Sequence, residues 1–116
     1  MIKRLYLING AADMGDITKY TWQNTNSQEL LKFYQRNVVT PCVLTSVVMD
    51  KIGMDVIRQS NAMQSVCIVN VSSMAAITPI ATWSQHCSAK AAKEMWHRCM
   101  AEESATQFGA HSLKVL

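Results

Sequence analysis

The chain has little glycine and proline: its 116 residues include four glycines and two prolines. The glycines do not cluster in a strand-to-helix turn, so the sequence carries no phosphate-binding fingerprint of the Rossmann or P-loop type. No apolar stretch approaches the length of a membrane-spanning helix, and the apolar run at residues 5–8 is too short for a signal peptide. We therefore expect no membrane association and a cytoplasmic location.

Charge and metal-ligating residues exclude two further classes of site. The net charge is only +3, and the basic residues are scattered rather than arranged in a stripe with aromatic residues, which argues against nucleic-acid binding. The three histidines lack the spacing of metal ligands, so we expect no metal site. The four cysteines form no CxxC pair and lie in strand-like or helix-like segments: Cys42, Cys67, Cys87 and Cys99. We interpret them as buried thiols in a reducing compartment.

Apolar patterns predict three strands that alternate with two helices. The strands are predicted at residues 5–8, 66–71 and 112–116. The first helix is expected to begin after Asn26, which forms a capping-box-like pair with Glu29, and to run to about residue 48 with a kink at Pro41. Its apolar face includes Leu44. Residues 53–64 are predicted to be a connection, and the second helix spans about residues 83–107.

This alternation predicts an α/β fold, a partial Rossmann-like three-layer arrangement with about three parallel strands and two long crossover helices. Right-handed crossovers place both helices on the same face of the sheet. The opposite face of apolar strands is then left uncovered. We expect the isolated chain to aggregate, to pair with another copy, or to cover this face in another way.

Four polar residues are predicted to meet at one edge of the sheet. Ser73 follows the second strand, His86 comes thirteen residues later on the second helix, and Lys90 lies one helical turn further on. The carboxyl ends of parallel strands are where open α/β sheets bind their ligands. Asn37 lies on the apolar face of the first helix, where an amide needs hydrogen-bond partners.

This pattern resembles the active-site segment of the short-chain dehydrogenase/reductases, most closely the sepiapterin reductase branch. The resemblance spans residues 5–115 and depends on Asn37, the strand end Val-Asn-Val-Ser-Ser and the segment His-Cys-Ser-Ala-Lys-Ala-Ala. It implies four catalytic residues: Asn37, Ser73, His86 and Lys90. By this resemblance Ser73 polarises a substrate carbonyl, Lys90 holds the cofactor ribose, and Asn37 holds a water that relays protons.

The resemblance also implies an NADP(H) site that is incomplete within this chain. Residues 7–12, Leu-Ile-Asn-Gly-Ala-Ala, resemble the family's Asn-Asn-Ala-Gly element, which implies that Asn9, Ala11 and Ala12 contact the cofactor together with Lys90. The family's glycine-rich turn lies upstream of this region. We therefore expect residues 1–116 to form a single truncated domain that lacks the amino-terminal dinucleotide-binding half and does not hold NADP(H) tightly.

His86 stands where the family has a tyrosine. A phenol has a pKa of about 10, which a nearby cation lowers toward the working pH, whereas an imidazole already titrates at about 6.5. The same cation disfavours the imidazolium form. We therefore expect His86 to be a poor proton donor at neutral pH, although its neutral N–H can still donate a hydrogen bond.

Each of these residues also has a structural interpretation. Asn37 is then a core amide bonded to backbone, Ser73 caps a loop at a strand end, and Lys90 is an exposed helix lysine. Three functions follow. The first is a sepiapterin-reductase-like oxidoreductase acting on a small carbonyl or pterin substrate, impaired or inactive as this isolated chain. The second is a non-catalytic pseudoenzyme or interaction module in which the two long helices form a homodimer. The third is an unrelated small α/β binding domain.

Overall fold

The computed structural model of the chain describes residues 2–59, 65–108 and 113–115. Its sheet has three parallel strands: β1 (Leu5–Asn9), β2 (Val66–Asn70) and β3 (Leu113–Val115). β2 lies between β1 and β3. The predicted α/β class with parallel strands is confirmed. Residues 112 and 116, which were predicted to extend the third strand, lie outside the described residues.

The first crossover is one long helical segment that begins after Asn26. The side chain of Asn26 accepts hydrogen bonds from the backbone N–H groups of Gln28 and Glu29, as the cap pattern predicted. The segment contains α1 (Ser27–Tyr34), a π-helical turn (Gln35–Val39), α2 (Thr40–Val48), a second π-helical turn (Met49–Gly53) and α3 (Met54–Gln59).

The helix continues past its predicted end, so the prediction of a connection is wrong for residues 53–59; residues 60–64 lie outside the described part. Because glycine has a low helix propensity, Gly53 led to the prediction that the helix ends before this residue. In the fold, Val56 follows it and is only 3% exposed, packed with Val66 and Ile68 of β2. Burial of this apolar side chain offsets the helix-propensity cost of the glycine.

The first π-helical turn changes which residues face the sheet. The N–H of Thr40 bonds to the carbonyl of Gln35, five residues back, immediately before Pro41, which has no N–H to donate. The extra residue rotates the following turns about the helix axis. As a result Cys42 and Thr45 are buried, whereas Leu44 is 51% exposed instead of facing inward as predicted.

The second crossover helix, α4 (Ser84–Phe108), agrees with its predicted bounds to within one residue at each end. Both crossovers contribute to one core on a single face of the sheet, composed of Val56, Val66 and Ile68 with partly buried Leu5, Leu7, Met49, Ile57 and Met100. On the opposite face of β1, Tyr6 and Ile8 are 63% and 67% exposed. The predicted uncovered face is therefore present on β1.

All four cysteines are free thiols. Cys42 is buried and Cys67 and Cys87 are half-buried, but Cys99 is exposed, so the prediction of buried thiols is wrong for Cys99. It lies on the outer side of α4, next to a groove between that helix and α2. Within the described residues, no helix combines the length and the apolar character needed to cross a membrane.

Candidate functional site

The carboxyl ends of β1 and β2 lie side by side and hold the candidate site. Asn9 and Asn70 are paired in register, and the N–H of Val71 donates to the carbonyl of Asn9 over 3.0 Å. The Nζ of Lys90 donates to the carbonyl of Val71, also over 3.0 Å. Lys90 is only 8% exposed, so it is not the solvated helix lysine of the structural interpretation. Its ammonium is instead fixed at the end of β2.

The backbone of Asp13, in the loop after β1, ties two of the predicted residues together. Its N–H donates to Oδ1 of Asn37 over 2.8 Å. Its carbonyl lies 3.2 Å from Nδ1 of His86, and because a carbonyl can only accept, Nδ1 carries the hydrogen. The ring of Trp83 packs edge-on against His86 with centroids 5.7 Å apart. Asn37 and His86 are thus anchored to opposite sides of one residue.

Asn37 is 2% exposed and bonds to backbone at both ends of its amide, because its Nδ2 also donates to the carbonyl of Phe33 over 3.0 Å. This bonding is what the structural interpretation of Asn37 expects. The carboxylate of Asp13 accepts hydrogen bonds from Nε of Arg36 over 3.2 Å and from the N–H of Gly15 over 2.9 Å. Burial raises the pKa of Asp13, but hydrogen bonds from Asn37, Arg36 and Gly15 outweigh it and hold this pKa below its ordinary value.

Ser73 is exposed and occupies the cap position of the short 3₁₀ turn Met74–Ala76, where its Oγ accepts from the N–H of Ala75 over 3.1 Å. Its own hydroxyl hydrogen is not used in that bond. Ser73 follows Val71, the residue that holds Lys90, by two positions. Within the described part of the chain, no direct hydrogen bond joins the side chains of Ser73, His86 and Lys90. Lys90 is bonded to the loop after β2, which carries Ser73, and His86 is bonded to the loop after β1.

Of the residues predicted to contact a cofactor, Asn9 is directed toward the helices. Its Nδ2 donates to Oγ1 of Thr45 over 2.8 Å and lies 3.0 Å from Nε2 of His97. Both of its N–H donors are therefore used inside the protein. Ala11 and Ala12 are exposed in the loop after β1.

Sequence reasoning missed a buried polar group around α4. His97 is 3% exposed, and its Nδ1 lies 2.8 Å from the carbonyl of Lys93. Lys93 is 1% exposed; burial and the charge of Lys90 lower the pKa of Lys93, against a smaller opposing effect of Cys42. Burial in turn raises the pKa of the Cys42 thiol. The spacing of Lys93, three residues after Lys90, was the one available sequence signal, since it places both on one helix face.

The family's nicotinamide cofactor fits these residues only in part. Lys90 uses one of its three N–H donors on Val71, which leaves two for ribose hydroxyl groups. The loop after β1 offers little to a pyrophosphate. The N–H groups of Asp13, Gly15 and Thr18 already donate to side-chain oxygens, and the Asp13 and Asp16 carboxylates, whose pKa values are lowered, put negative charge there. The described residues also contain no cluster of three or more side chains suited to a metal ion.

Comparison with known proteins gives the family. Residues 5–108 match the sequence profile of the short chain dehydrogenases. The chain belongs to the short-chain dehydrogenase/reductase family. The profile covers the whole candidate site, from β1 through α4.

Among characterised relatives, the chain is similar to sepiapterin reductases. It is 35% identical to the Xenopus laevis protein over 100 residues, which cover 86% of this chain and 36% of that protein. It is 30% identical to the Mus musculus protein over 102 residues, covering 88% of this chain and 37% of that protein. The chain therefore spans about a third of the length of the curated relatives it matches.

Solved structures agree on the fold. A short-chain dehydrogenase from Streptomyces avermitilis superposes with a TM-score of 0.73 at 26% identity, over 96% of this chain and 35% of that one. A short-chain dehydrogenase/reductase from Saccharomyces cerevisiae gives a TM-score of 0.68 at 18% identity, over 84% of this chain and 34% of that one. The partial Rossmann-like arrangement is thus a recognised part of this family's fold.

Proposed function

We propose that the chain carries the substrate side of a sepiapterin-reductase-like, NADP(H)-dependent site for a small carbonyl or pterin compound. We propose further that the 116-residue polypeptide alone has little or no turnover. In this proposal Ser73 binds the substrate oxygen, His86 occupies the position of the proton-transferring group, Lys90 binds the ribose, and Asn37 holds the loop after β1. The free thiols support a reducing, cytoplasmic setting.

The observation that carries the proposal is the double anchoring by Asp13. Asn37 and His86 lie 24 and 73 residues from Asp13 along the chain, yet both bond to its backbone. Lys90 is fixed to the adjacent loop through Val71. These contacts of Asn37, His86 and Lys90 with the loops that follow β1 and β2 support the proposal, because α/β folds bind ligands at the carboxyl ends of parallel strands.

Two features support weak activity of the chain by itself. In the loop after β1, the N–H groups of Asp13, Gly15 and Thr18 already donate to side-chain oxygens, and two carboxylates add negative charge, which disfavours a phosphate group. The single N–H of a neutral His86 ring is also used within the protein, because Nδ1–H donates to the carbonyl of Asp13. The N–H that the sequence left available for a substrate is thus already occupied.

We expect NADPH to show no saturable binding to this chain at micromolar concentrations, because the loop after β1 has three N–H groups already bonded and carries two carboxylates. Fluorescence titration of NADPH measures this, with the Xenopus laevis sepiapterin reductase as the positive control. His86→Tyr alone should not restore sepiapterin reduction, since it supplies a proton donor but adds no group that binds the cofactor pyrophosphate. Tight NADPH binding together with sepiapterin reduction by the unmodified chain would contradict this proposal.

A second candidate function, an interaction module that forms a homodimer, is favoured by the outer surface of the two crossover helices. Apolar side chains are 44% to 57% exposed along α4 and the first helical segment: Val39, Val43, Leu44, Val47, Met95 and Trp96. Val39, Val43 and Val47 recur every four residues and so lie on one stripe. A groove of about 440 Å³ between the helices adjoins this surface. A second copy of the chain would cover the apolar stripe by helix packing.

We expect the 13.0 kDa chain to sediment as a dimer and Val43→Asp to shift it to monomer, because the variant places a charge in the apolar contact. Sedimentation velocity over a range of protein concentrations measures the change. Ile17→Asp is the matched control, since Ile17 is also exposed but lies in the loop before α1. A monomeric wild-type chain, or equal effects of the two variants, would argue against this surface.

A further inference from the structure

The two described histidines of α4 have the same proton placement. Nδ1 of His86 lies 3.2 Å from the carbonyl of Asp13, and Nδ1 of His97 lies 2.8 Å from the carbonyl of Lys93. A backbone carbonyl accepts but does not donate, so each Nδ1 must carry a hydrogen. In a neutral imidazole, Nε2 is then left with a lone pair and is a hydrogen-bond acceptor.

The two rings differ in what their Nε2 atoms face. Nε2 of His97 accepts from Nδ2 of Asn9 over 3.0 Å, so its lone pair is used inside the core. Nε2 of His86 forms no hydrogen bond with any part of the chain that the structure describes. The ring is nevertheless held firmly, by Asp13 on Nδ1 and by Trp83 on its edge. His86 therefore presents a fixed, unused acceptor at the carboxyl edge of the sheet.

This acceptor distinguishes the two redox forms of a substrate. An alcohol oxygen can donate its hydrogen to Nε2 of His86. In the proposed site, the same oxygen would accept the hydroxyl hydrogen of Ser73, which the cap bond leaves free. A carbonyl oxygen can also accept from Ser73, but it then faces the lone pair of His86 with a lone pair of its own. Reduction of a carbonyl needs a proton donor at this position, whereas an alcohol needs an acceptor.

We propose that His86 makes this a site for the hydroxyl form of the substrate, with Nε2 accepting the hydrogen of the alcohol. The inference rests on the proposed function for the location of the site and for the role of Ser73. It goes beyond that function in naming a secondary alcohol, rather than the ketone, as the preferred ligand.

The first test is of the proton placement and needs no ligand. Histidine labelled with ¹⁵N, in a His111→Gln background that leaves two histidines, reports the protonation of each ring nitrogen at pH 7.5. We expect both rings to be protonated at Nδ1 and bare at Nε2. Diethyl pyrocarbonate, which acylates an accessible bare imidazole nitrogen, should modify His86 at least tenfold faster than His97. A hydrogen on Nε2 of His86, or equal acylation rates, would overturn the inference.

The second test compares sepiapterin with the alcohol formed by reducing its side-chain ketone. We expect the alcohol to bind at least fivefold more tightly and to shift the Nε2 resonance of His86. His86→Phe keeps a ring but removes the acceptor, and it should abolish the preference. Cys87→Ser, at the adjacent position, should retain it. Equal or tighter binding of the ketone would overturn the inference.

The two tests separate this inference from the proposed function. Protonated Nε2 would overturn the alcohol preference while leaving a pterin or carbonyl site intact. If Nε2 of His86 is bare as expected but neither sepiapterin nor its alcohol binds, both the alcohol preference and the proposed substrate class would be overturned.

Discussion

Replacing Lys93 with methionine is expected to raise the free energy of unfolding by about 1 to 3 kcal/mol. Lys93 is 1% exposed, and no ion pair to it is found within the described residues. An ammonium group taken out of water without a carboxylate is costly. Methionine has a similar length and flexibility but carries no charge, so it can fill the same space. Urea denaturation of both proteins measures the difference.

The pH dependence of this effect has a defined sign. Burial lowers the pKa of Lys93 below 10.5, the ordinary value, so the unfolded chain binds its proton more tightly than the folded one does. Between the lowered pKa and 10.5, folding stability therefore rises with pH. The advantage of Lys93→Met should be greatest well below this window and shrink as the pH approaches 10.5. Lys32→Met, at an exposed position of α1, is the control and should change stability by less than about 0.5 kcal/mol.

A less stable Lys93→Met protein would show that the buried ammonium makes a net favourable interaction. A stability difference that does not vary with pH would show that its charge is not the cause.

Asn37→Ala is expected to lower the free energy of unfolding by about 2 to 3 kcal/mol. The substitution removes the acceptor for the N–H of Asp13 and the donor for the carbonyl of Phe33. Groups that lose their partner in a buried setting bear the full cost of desolvation. The loop after β1 also loses its attachment to the first helical segment, so we expect the bond from His86 to Asp13 to weaken as well.

Urea denaturation measures the loss of stability, and the ¹⁵N resonances of His86 report whether Nδ1 keeps its hydrogen bond. Gln35→Ala is the matched control, because Gln35 lies in the same π-helical turn but is exposed, and its side chain is bonded only to Thr40, at 3.5 Å, among the described residues. Its effect should stay within about 0.5 kcal/mol. A loss equally small for Asn37→Ala would mean that other contacts hold the loop.

The strands and α4 were predictable because their signals are local. Apolar runs marked β1 and β2 to within one residue, and the alternation of strands and helices required parallel pairing. The first crossover was predicted less well. Its end at Gln59 and the rotation that exposes Leu44 depend on two π-helical turns and on packing of Val56 against β2. Tertiary packing overrode the local signals of Gly53 and Pro41.

The sequence by itself determined the element order and the family, and it put Ser73 after β2 with His86 and Lys90 one turn apart on α4. It also predicted that His86 stands where the family has a phenol. These properties follow from residue types and from the fixed periods of strands and helices, which a linear pattern records.

Only the tertiary structure determined the proton on Nδ1 of His86, the use of Asn9 in the core and the burial of Lys93. The deciding hydrogen bonds span long stretches of the chain: Asp13 and His86 are separated by 73 positions, and Asn9 and His97 by 88. Contacts of this range depend on how the crossover helices lie on the sheet. Hydrogen-bond roles and desolvation are properties of those neighbours in space, so no local pattern in the chain specifies them.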